Sequence, residues 1–542
     1  MTPGMQFRLW LQRAARGQVA VTAVVVAAVV ALLVASVSQG GSSSPGGPTA
    51  LGQDSSTGTT GDGATSGSSS TTGGTTGTTG ATSSTGSPTT GFGTSTSGGA
   101  TSGGTSGGAT TGFGTSGSST SGGTTGGGTT GSGSFDISRS TDRGVNNCSG
   151  TKPCVKLGVL ISKIGGLDAS GFALNLRTDI QKVVQAYIDD QNKHGGINGR
   201  PIMPVYLTVD PVDQGAQNKA CTTMTSDDKV FGVLDTAAFI FADAQKCLTT
   251  TNRTPYVHGY AESESFMDAS HGYDVSETRS LDRIAIEWAD EMGKLGFLKG
   301  GEHVGILEDN CEPSASVVQK YLLDGIKAMY KPKSAKVYQS DCSAAYAQSQ
   351  PPALEQQMCV DGVDHVVLAT SFVAAQTFLR AADGSPCGSG PKKFHYMASD
   401  YSLLASDLFT RNFSKNQFDG SLAITNFFTG ITKTSAQLQK CSAVLKKAGL
   451  PGLDNSYSNA DANAFCDYFA IFVKAAVKAG PDLTRAGWAQ AVQTLGEFDG
   501  AYSPKSVFAA GKTNGGELVH AMVWHADCSC YRQSGPLHQG KG

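Results

Sequence analysis

Residues 39–134 form one stretch of ninety-six residues without Lys or Arg, and this stretch divides the chain into three parts. Its only acids are Asp54 and Asp62, and the remainder is almost entirely Gly, Ser and Thr. Such a segment cannot bury enough apolar surface to offset the entropy lost on ordering, so its composition predicts a disordered linker. A flexible coil of this length has an end-to-end distance on the order of 55 Å. We therefore expect a folded core only after residue 134.

An apolar segment, residues 19–37, lies before the linker and is interrupted only by Thr22 and Ser36. Three basic residues precede it: Arg8, Arg13 and Arg16. The length suffices to cross a bilayer, and the arginines predict a cytoplasmic segment 1–18, a transmembrane signal anchor at 19–38 and an extracytoplasmic remainder. A cleaved signal peptide, after which the protein would be secreted, is the alternative, because residues 36–38 read Ser-Val-Ser.

All twelve cysteines follow the linker, which indicates an oxidising compartment. Four pairs are separated by 25 to 31 residues and suit disulfides between neighbouring elements: Cys221 with Cys247, Cys311 with Cys342, Cys359 with Cys387, and Cys441 with Cys466. Sequence does not determine the connectivity. A metal site is the alternative, but the chain has no CxxC motif, and Cys528-Ser529-Cys530 lacks a companion pair. We expect neither a metal nor a cofactor.

The 408 residues from 135 to 542 are too many for a single ordinary core and suit two lobes. They carry 38 basic and 42 acidic side chains, after the three arginines and two aspartates of residues 1–134 are subtracted from the totals of 41 and 44. This near-neutral balance argues against a nucleic-acid partner.

Short apolar runs alternate with helical periodicity from residue 154 onward. Residues 155–161 and 203–209 have the pattern of strands, and residues 180–188 between them repeat apolar positions at the spacing of a helix. Further strands are predicted at 230–234, 255–257, 304–307, 336–338, 363–369 and 394–398, with helices at 243–251, 314–329 and 372–382. This alternation predicts an α/β protein whose two lobes each contain a parallel sheet with helices on both faces.

The end of the chain differs, because residues 507–510 and 518–524 have the pattern of a β-hairpin joined by the turn 511–516. Within that turn, Gly511-Lys512-Thr513 matches the end of a P-loop. Ser506 stands where the first glycine of that motif is required, so nucleotide hydrolysis is rejected.

Residues 192–202 read Asn-Lys-His-Gly-Gly-Ile-Asn-Gly-Arg-Pro-Ile and lie between a predicted helix and a predicted strand that closes on Asp210. This unit resembles the opening βαβ of the type I periplasmic-binding fold, particularly the branched-chain amino-acid-binding (leucine/isoleucine/valine-binding) proteins of ABC importers. Residues 523–527, Val-Trp-His-Ala-Asp, resemble the last strand of those proteins. The resemblance covers about residues 154–530. It implies two lobes joined by three strands, with lobe 1 at about 154–280 and 424–500, and lobe 2 at about 283–422 and 505–530.

Open parallel sheets bind ligands at the carboxyl ends of their strands, so the resemblance implies a site in the loops that follow strands. In amino-acid-binding relatives, hydroxyls and backbone N–H groups of lobe 1 hold the ligand carboxylate, and an acid of lobe 2 holds the ammonium. The residues implied as ligand-binding are Thr236, Ala237, Tyr260, Ala261, Glu262, Arg283, Ser371, Phe372 and Asp400, with Phe172 and Asn310 as further candidates.

Glu262 departs from the family pattern, because a hydroxyl residue is expected at that position. An acid there repels an α-carboxylate unless a base such as Arg283 intervenes. Asp400 occupies the position expected for the acid that binds an ammonium group. Each of these residues also has an ordinary structural interpretation: a helix cap for Thr236, core packing for Phe372 and solvated loop acids for Glu262 and Asp400.

The function that these observations predict is an extracytoplasmic solute-binding protein, not an enzyme. It would capture a small polar ligand, such as an amino acid or a related amide or organic compound, for the membrane permease of an ABC importer. A membrane-anchored sensory ectodomain without transport is one alternative. A secreted hydrolase is an alternative of another class, but the histidines join no recognisable nucleophile or metal signature such as HExxH.

Overall fold

The structure, a computed structural model, describes residues 153–163, 176–211, 213–236, 242–341, 348–432 and 434–542. The predicted cytoplasmic segment, membrane segment and linker all lie outside these ranges. Among the residues that are described, no helix combines the length and the apolar character needed to cross a membrane.

Fifteen strands are present in the described part of the chain. In chain order they are β1 Val155–Ser162, β2 Ile202–Val209, β3 Gly232–Thr236, β4 Tyr256–His258, β5 Asp274–Ser276, β6 His303–Asn310, β7 Ser334–Asp341, β8 His365–Ala369, β9 His395–Ser399, β10 Leu422–Thr425, β11 Gly496–Phe498, β12 Ser506–Phe508, β13 Leu518–His525, β14 Cys530–Gln533 and β15 His538–Gln539.

The α-helices of the described residues alternate with these strands. They are α1 Ile180–Lys193, α2 Gln214–Thr222, α3 Ala242–Lys246, α4 Glu264–Ala269, α5 Leu281–Lys294, α6 Ser314–Val317, α7 Asp324–Tyr330, α8 Pro351–Val360, α9 Phe372–Asp383, α10 Asp407–Thr410, α11 Lys415–Phe418, α12 Ala436–Lys447, α13 Ala460–Lys478 and α14 Arg485–Val492. Three π-helical turns, Thr223–Asp227, Cys247–Thr251 and Val318–Leu323, extend or join these helices.

The first sheet is wholly parallel, with strand order β2-β1-β3-β4-β5. The turn between α1 and β2 requires glycine at Gly196, whose φ is +61°, because an added Cβ would lie 2.1 Å from the backbone oxygen of Arg200. Asn198 adopts a φ of +52° in the same turn, and its side-chain amide donates to the oxygen of Gly480 at 2.8 Å. The Gly-Gly-Ile-Asn-Gly turn therefore fixes the first helix against a distant part of the same lobe.

The second sheet is mixed, which corrects the expectation of a parallel sheet in each lobe. Strands β7-β6-β8-β9-β10 are parallel in that order, but β13 pairs antiparallel with β10, and β14 and β15 pair antiparallel with β13. The Cys528–Cys530 disulfide links the short connection between β13 and β14 to the first residue of β14. So short a connection can only join antiparallel strands, because a parallel pair needs a crossover of a dozen or more residues.

The predicted hairpin of residues 507–510 and 518–524 is wrong. β12 pairs with β11, whereas β13 pairs with β10 in the second sheet. The reason is packing, since Phe508 of β12 is buried in the core of the first lobe, and Met522 and Trp524 of β13 are buried in the core of the second. The apolar pattern of both strands was visible in the sequence, but not that they belong to different cores.

The chain passes between the two sheets three times among the described residues, in the segments 276–281, 425–436 and 508–518. Each segment joins an element packed on one sheet to an element packed on the other. After the second passage, α12, α13 and α14 complete the core of the first lobe, where Trp488 is fully buried and donates from its indole nitrogen to the oxygen of Phe472 at 3.0 Å. This confirms the predicted α/β class.

Each lobe contains disulfide bonds within it. Three of the predicted pairs are present, Cys221–Cys247, Cys359–Cys387 and Cys441–Cys466. Cys311 is disulfide-bonded, and its predicted partner Cys342 lies outside the described residues. Cys528 and Cys530 form a further bridge that the sequence analysis did not predict.

Candidate ligand-binding cleft

The carboxyl ends of the parallel strands carry the candidate site residues. The described loops at these ends include those after β4, β5, β6, β8 and β9. Residues 164–175, 237–241 and 342–347, after β1, β3 and β7, fall outside the described ranges. Phe172 and Ala237 are among those residues, so the structure does not place them. Asn310 is exposed at the end of β6.

A chain of hydrogen bonds holds Tyr260 at the end of β4. The hydroxyl of Tyr256 donates to the Asp235 carboxylate at 2.9 Å and lies 2.8 Å from the Tyr260 hydroxyl. Since Tyr256 has a single hydroxyl proton, Tyr260 must donate to it. Burial, and then the negative charge of Asp235, raises the pKa of both tyrosines well above the ordinary value. Both phenols therefore stay neutral, and the Tyr260 ring is held rigidly.

A second polar group lies beside this chain and was not found from the sequence. His258 Nε2 is 2.8 Å from Asp274 Oδ1, and the Gln245 amide donates to Asp274 Oδ2 at 2.9 Å. The His258 ring stacks on Tyr260 with centroids 3.9 Å apart. All three polar residues are buried. The sequence signal for this group is the presence of polar residues inside or beside otherwise apolar strands. Asp235 within β3 is one example.

Glu262 is partly buried in the loop after β4. Burial raises the pKa of its carboxyl well above the usual value, and the nearby Asp274 raises it further, against a hydrogen bond with Gln245. A carboxyl in such surroundings gains most from a positively charged partner.

Asp400 is the first residue after β9, and only 3 % of it is exposed. Its Oδ1 accepts from the Thr425 hydroxyl at 2.8 Å, and its Oδ2 accepts from the backbone N–H of Asn426 at 2.6 Å. Burial raises the pKa of Asp400 to about 7, in spite of these two hydrogen bonds and the attraction of Arg279. A carboxylate has about four acceptor positions, so these two bonds leave capacity for a ligand donor.

Ser371 and Phe372 open α9 on the second lobe. The Ser371 hydroxyl accepts from the Ala374 backbone N–H as the helix cap, and the Ser371 backbone N–H donates to Asp309 Oδ2 at 2.6 Å. The Phe372 ring packs on that of Phe409 with centroids 4.6 Å apart. Ser371 therefore caps the N-terminus of α9, whereas Phe372 contributes an aromatic surface.

Thr236 and Arg283 are engaged elsewhere in the protein. The Thr236 hydroxyl donates to the oxygen of Leu160 at 2.7 Å. Arg283 pairs with Glu517 at 3.0 Å and donates to the Asn514 side chain at 3.1 Å. The structure therefore does not place Arg283 as the base that screens Glu262.

Residues of both lobes form one apolar cluster, and two of the candidate residues belong to it or pack against it. Tyr260 of the first lobe belongs to one apolar cluster with Leu408 and Phe409 of the second, and Phe372 packs against that cluster. Ala261 packs instead in the cluster of the second lobe that surrounds α5. The loop after β4 thus contacts the second lobe through an aromatic surface.

Negative charge predominates in the strand-end loops. The loops that follow β1, β3, β4, β6, β8 and β9 contain five acids, Asp168, Asp179, Glu262, Glu312 and Asp400, and two bases, Lys163 and Arg177. Arg177 is paired with Asp179 at 2.7 Å. The Lys163 ammonium lies 3.9 Å from Asp210, and its side chain is 64 % exposed. In the crossing after β5, Arg279 donates to the backbone oxygens of Glu517 and Lys541. The edge of the two sheets is therefore suited to a ligand group that carries positive charge.

We predict that Gly259→Ala disturbs this edge. An added Cβ would lie 1.9 Å from the hydroxyl oxygen of the buried Tyr468 and 2.9 Å from its ring carbon Cζ. Overpacking of this kind costs about 1–3 kcal/mol. Urea unfolding should show this loss, whereas Gly384→Ala, whose Cβ would lie 3.7 Å from its nearest neighbour, should change stability by no more than about 0.5 kcal/mol. Equal stability of the two variants would contradict the close contact with Tyr468.

A family profile described as "Periplasmic binding protein" matches residues 155–524, which is more than half of the chain. No curated protein matches the sequence.

Solved structures share the fold at low sequence identity. A solute-binding protein of an ABC transporter from Rhodopseudomonas palustris, in complex with 3,4-dihydroxybenzoic acid, has a TM-score of 0.54 and 13 % identity, covering 72 % of this chain and 98 % of its own. A leucine-binding protein from Thermotoga maritima has a TM-score of 0.54 and 13 % identity, with coverages of 71 % and 99 %. A branched-chain amino acid transporter substrate-binding protein from Streptococcus pneumoniae, in complex with isoleucine, has a TM-score of 0.52 and 17 % identity, with coverages of 71 % and 100 %. At these identities the likeness concerns the fold alone.

Proposed function

The chain belongs to the periplasmic binding protein family, and we propose that it is an extracytoplasmic solute-binding protein that captures a small ligand between two lobes for an ABC importer. The observation that carries the proposal is one apolar cluster to which both lobes contribute, with Tyr260 from the first lobe and with Phe372 of the second packed against it. Pockets at this position of α/β sheets combine apolar walls with a few polar groups, and residues of both kinds follow the strands here. The three passages of the chain between the sheets would act as the hinge.

We further propose that the ligand carries an amine or another cationic group. Glu262 and Asp400 lie on opposite lobes, and of the two bases in the strand-end loops counted above, Lys163 and Arg177, the second is paired with Asp179 at 2.7 Å. A cation would be attracted by both acids and would pack against the aromatic rings of Tyr260 and Phe372, where cation–π attraction contributes about 0.5–2 kcal/mol. Leucine and isoleucine, named for two of the similar structures, carry an ammonium group, whereas 3,4-dihydroxybenzoic acid does not.

Attachment to the membrane follows as part of the same proposal. If residues 19–38 remain as an anchor, the linker 39–134 would keep the binding domain within on the order of 55 Å of a membrane permease. The ATP hydrolysis of the importer, not this chain, would then drive transport.

Thermal unfolding of the full chain with a ligand panel tests the proposal. We expect saturable stabilisation by lysine, arginine or putrescine, weaker effects of leucine and isoleucine, and none by 3,4-dihydroxybenzoate. A ligand present at 100 times its Kd should add about 2.7 kcal/mol to the free energy of unfolding. Stabilisation by anions alone would overturn the cationic ligand class. No stabilisation by any compound, together with turnover of an ester or peptide, would overturn the binding function and favour the hydrolase.

A further inference from the structure

Helix α5 and strand β15 bring together three residues that have no part in the proposed cleft function. Glu287 and Glu291 lie one helical turn apart on α5, so their side chains share one face of the helix. His538 is the first residue of β15. It lies beyond residue 524, where the family match ends, so this group is not part of the shared family region. We call these residues the α5–β15 cluster.

The spacing of the cluster suits a small divalent cation. His538 Nε2 lies 3.5 Å from Glu287 Oε1 and 3.5 Å from Glu291 Oε1, and the three ligand atoms all lie within 4.8 Å of one another. A tetrahedral zinc ion with ligands at about 2.0–2.1 Å would hold neighbouring ligand atoms roughly 3.3 Å apart. The cluster therefore needs only small side-chain movements to surround an ion.

Burial makes this arrangement costly without a partner. Glu287 and Glu291 are 1 % and 3 % exposed. Glu287 Oε1 and His538 Nε2 are buried, point at each other and have no hydrogen-bond partner among the described residues. Buried polar atoms are nearly always hydrogen-bonded, and these two atoms face each other at 3.5 Å without such a bond. A cation between them would satisfy both atoms.

The outer contacts orient the ligand atoms. His538 Nδ1 lies 3.2 Å from the backbone oxygen of Pro536, which can only accept, so Nδ1 carries the proton and Nε2 is available as a ligand. The backbone N–H of Lys541 donates to Glu287 Oε2, which directs Oε1 toward His538. Such outer contacts are a usual feature of metal sites in proteins.

Two lysines compete for the carboxylates of α5. Lys294 contacts Glu291 Oε1 at 2.5 Å and Asp290 Oδ2 at 2.6 Å, and Lys541 binds Asp290 Oδ1. The Lys294 side chain is 51 % exposed, so it can release Glu291 and keep Asp290. Glu287 Oε1 has no lysine partner among the described residues, which leaves it as the strongest ligand atom of the cluster.

We propose that Glu287, Glu291 and His538 bind one divalent cation, and that Zn²⁺ suits them best because two carboxylates and an imidazole are ligands it commonly takes. The ion would join the segment that contains β15 to α5, the helix that follows the first passage between the sheets. Glu287 also lines a small cavity together with Asp400, so the metal site lies next to one residue of the proposed cleft.

Calorimetric titration of the untagged, chelator-treated full chain with zinc chloride tests the site. We expect one site per chain, and at least about 100-fold weaker binding in Glu287→Gln and in His538→Gln, since outer contacts alone change metal affinity 10–100-fold. His271→Asn is the matched control, because His271 is exposed and outside the cluster. It should leave the affinity unchanged.

X-ray absorption at the zinc edge provides a second readout. It should show one imidazole nitrogen and two carboxylate oxygens at about 2.0–2.2 Å. His538→Gln keeps the measurement decisive if Glu287→Gln fails to fold, because His538 is partly exposed. Absence of zinc binding to the native chain would overturn the proposal and leave His538 as a counter-ion of the glutamates. Binding that persists in His538→Gln would also overturn it, by placing the ion elsewhere.

Discussion

Asp400→Asn is expected to weaken the binding of a cationic ligand at pH 8 by about 30-fold or more while the protein remains folded. Removing one partner of a buried, hydrogen-bonded charge pair typically costs at least about 2 kcal/mol, which corresponds to that factor. The amide keeps the shape of the carboxyl and can still accept from Asn426. Binding should also strengthen between pH 6 and pH 8 in the native chain, because a cation must displace the proton that Asp400, with a pKa of about 7, holds at lower pH.

Glu355→Gln is the matched control for this experiment. Glu355 is also a buried acid of the second lobe, 1 % exposed, and it accepts from the Ser385 hydroxyl at 2.6 Å. Its replacement removes the same charge from a position outside the strand-end loops, so affinity should stay within about twofold. The role assigned to Asp400 would be wrong if both variants bound equally well, or if the affinity of Asp400→Asn changed between pH 6 and pH 8 as much as that of the native chain.

The free energy of unfolding is expected to fall by about 3 kcal/mol or more between pH 5 and pH 8. Burial raises the pKa of Asp400, Asp461 and Glu308 to about 7, and that of Asp407 and Asp467 to about 6. The unfolded values lie near 4, so the folded state holds more protons in between. The stability from these protonated acids is complete below about pH 4 and is lost as the pH rises through the folded values. For one such group, a pH rise of two units between its unfolded and folded pKa values lowers the free energy of unfolding by about 3 kcal/mol.

A buried histidine and the acids with lowered pKa also affect how the free energy of unfolding changes with pH. Burial lowers the pKa of His520 to about 4, and this histidine therefore opposes the trend below pH 6.5. Acids whose pKa is lowered, such as Asp179 beside Arg177, act below about pH 4. Urea unfolding at several pH values measures the net effect. Between pH 5 and pH 8, Asp400→Asn should lose less stability than the native chain. Asp324→Asn, which changes an exposed acid, should lose as much as the native chain. Stability that rises from pH 5 to pH 8 would show that the buried acids are ionised in the fold.

The sequence was most informative where a local pattern determines the structure. The alternation in β1 and the helical spacing in α1 correspond to the observed elements. The hairpin prediction for the end of the chain is wrong because the two apolar runs that contain Phe508 and Trp524 have the local pattern of one hairpin. Each run is buried in a different core. No local feature records which core a short strand will join.

The site shows the same limit. The resemblance directed attention to Tyr260 and Phe372, which the fold brings into contact with one cluster. Arg283 was considered beside Glu262, but its partner is Glu517, 234 residues away in sequence, and only the tertiary fold brings these two together. The support of Tyr260 by Asp235 and His258 was missed because polar residues within short strands were assigned to the strands and not to the site.

Hydrogen exchange of the full chain, with and without the ligand that stabilises it most, tests the central proposal most directly. Capture between two lobes should slow exchange in residues 259–263 after β4 and residues 400–406 after β9 together, because in the proposed site both loops would face the ligand. Residues 295–302, after α5, should exchange at the same rate in both states. Protection of one loop alone, or protection confined to segments away from the strand ends, would contradict binding between the lobes.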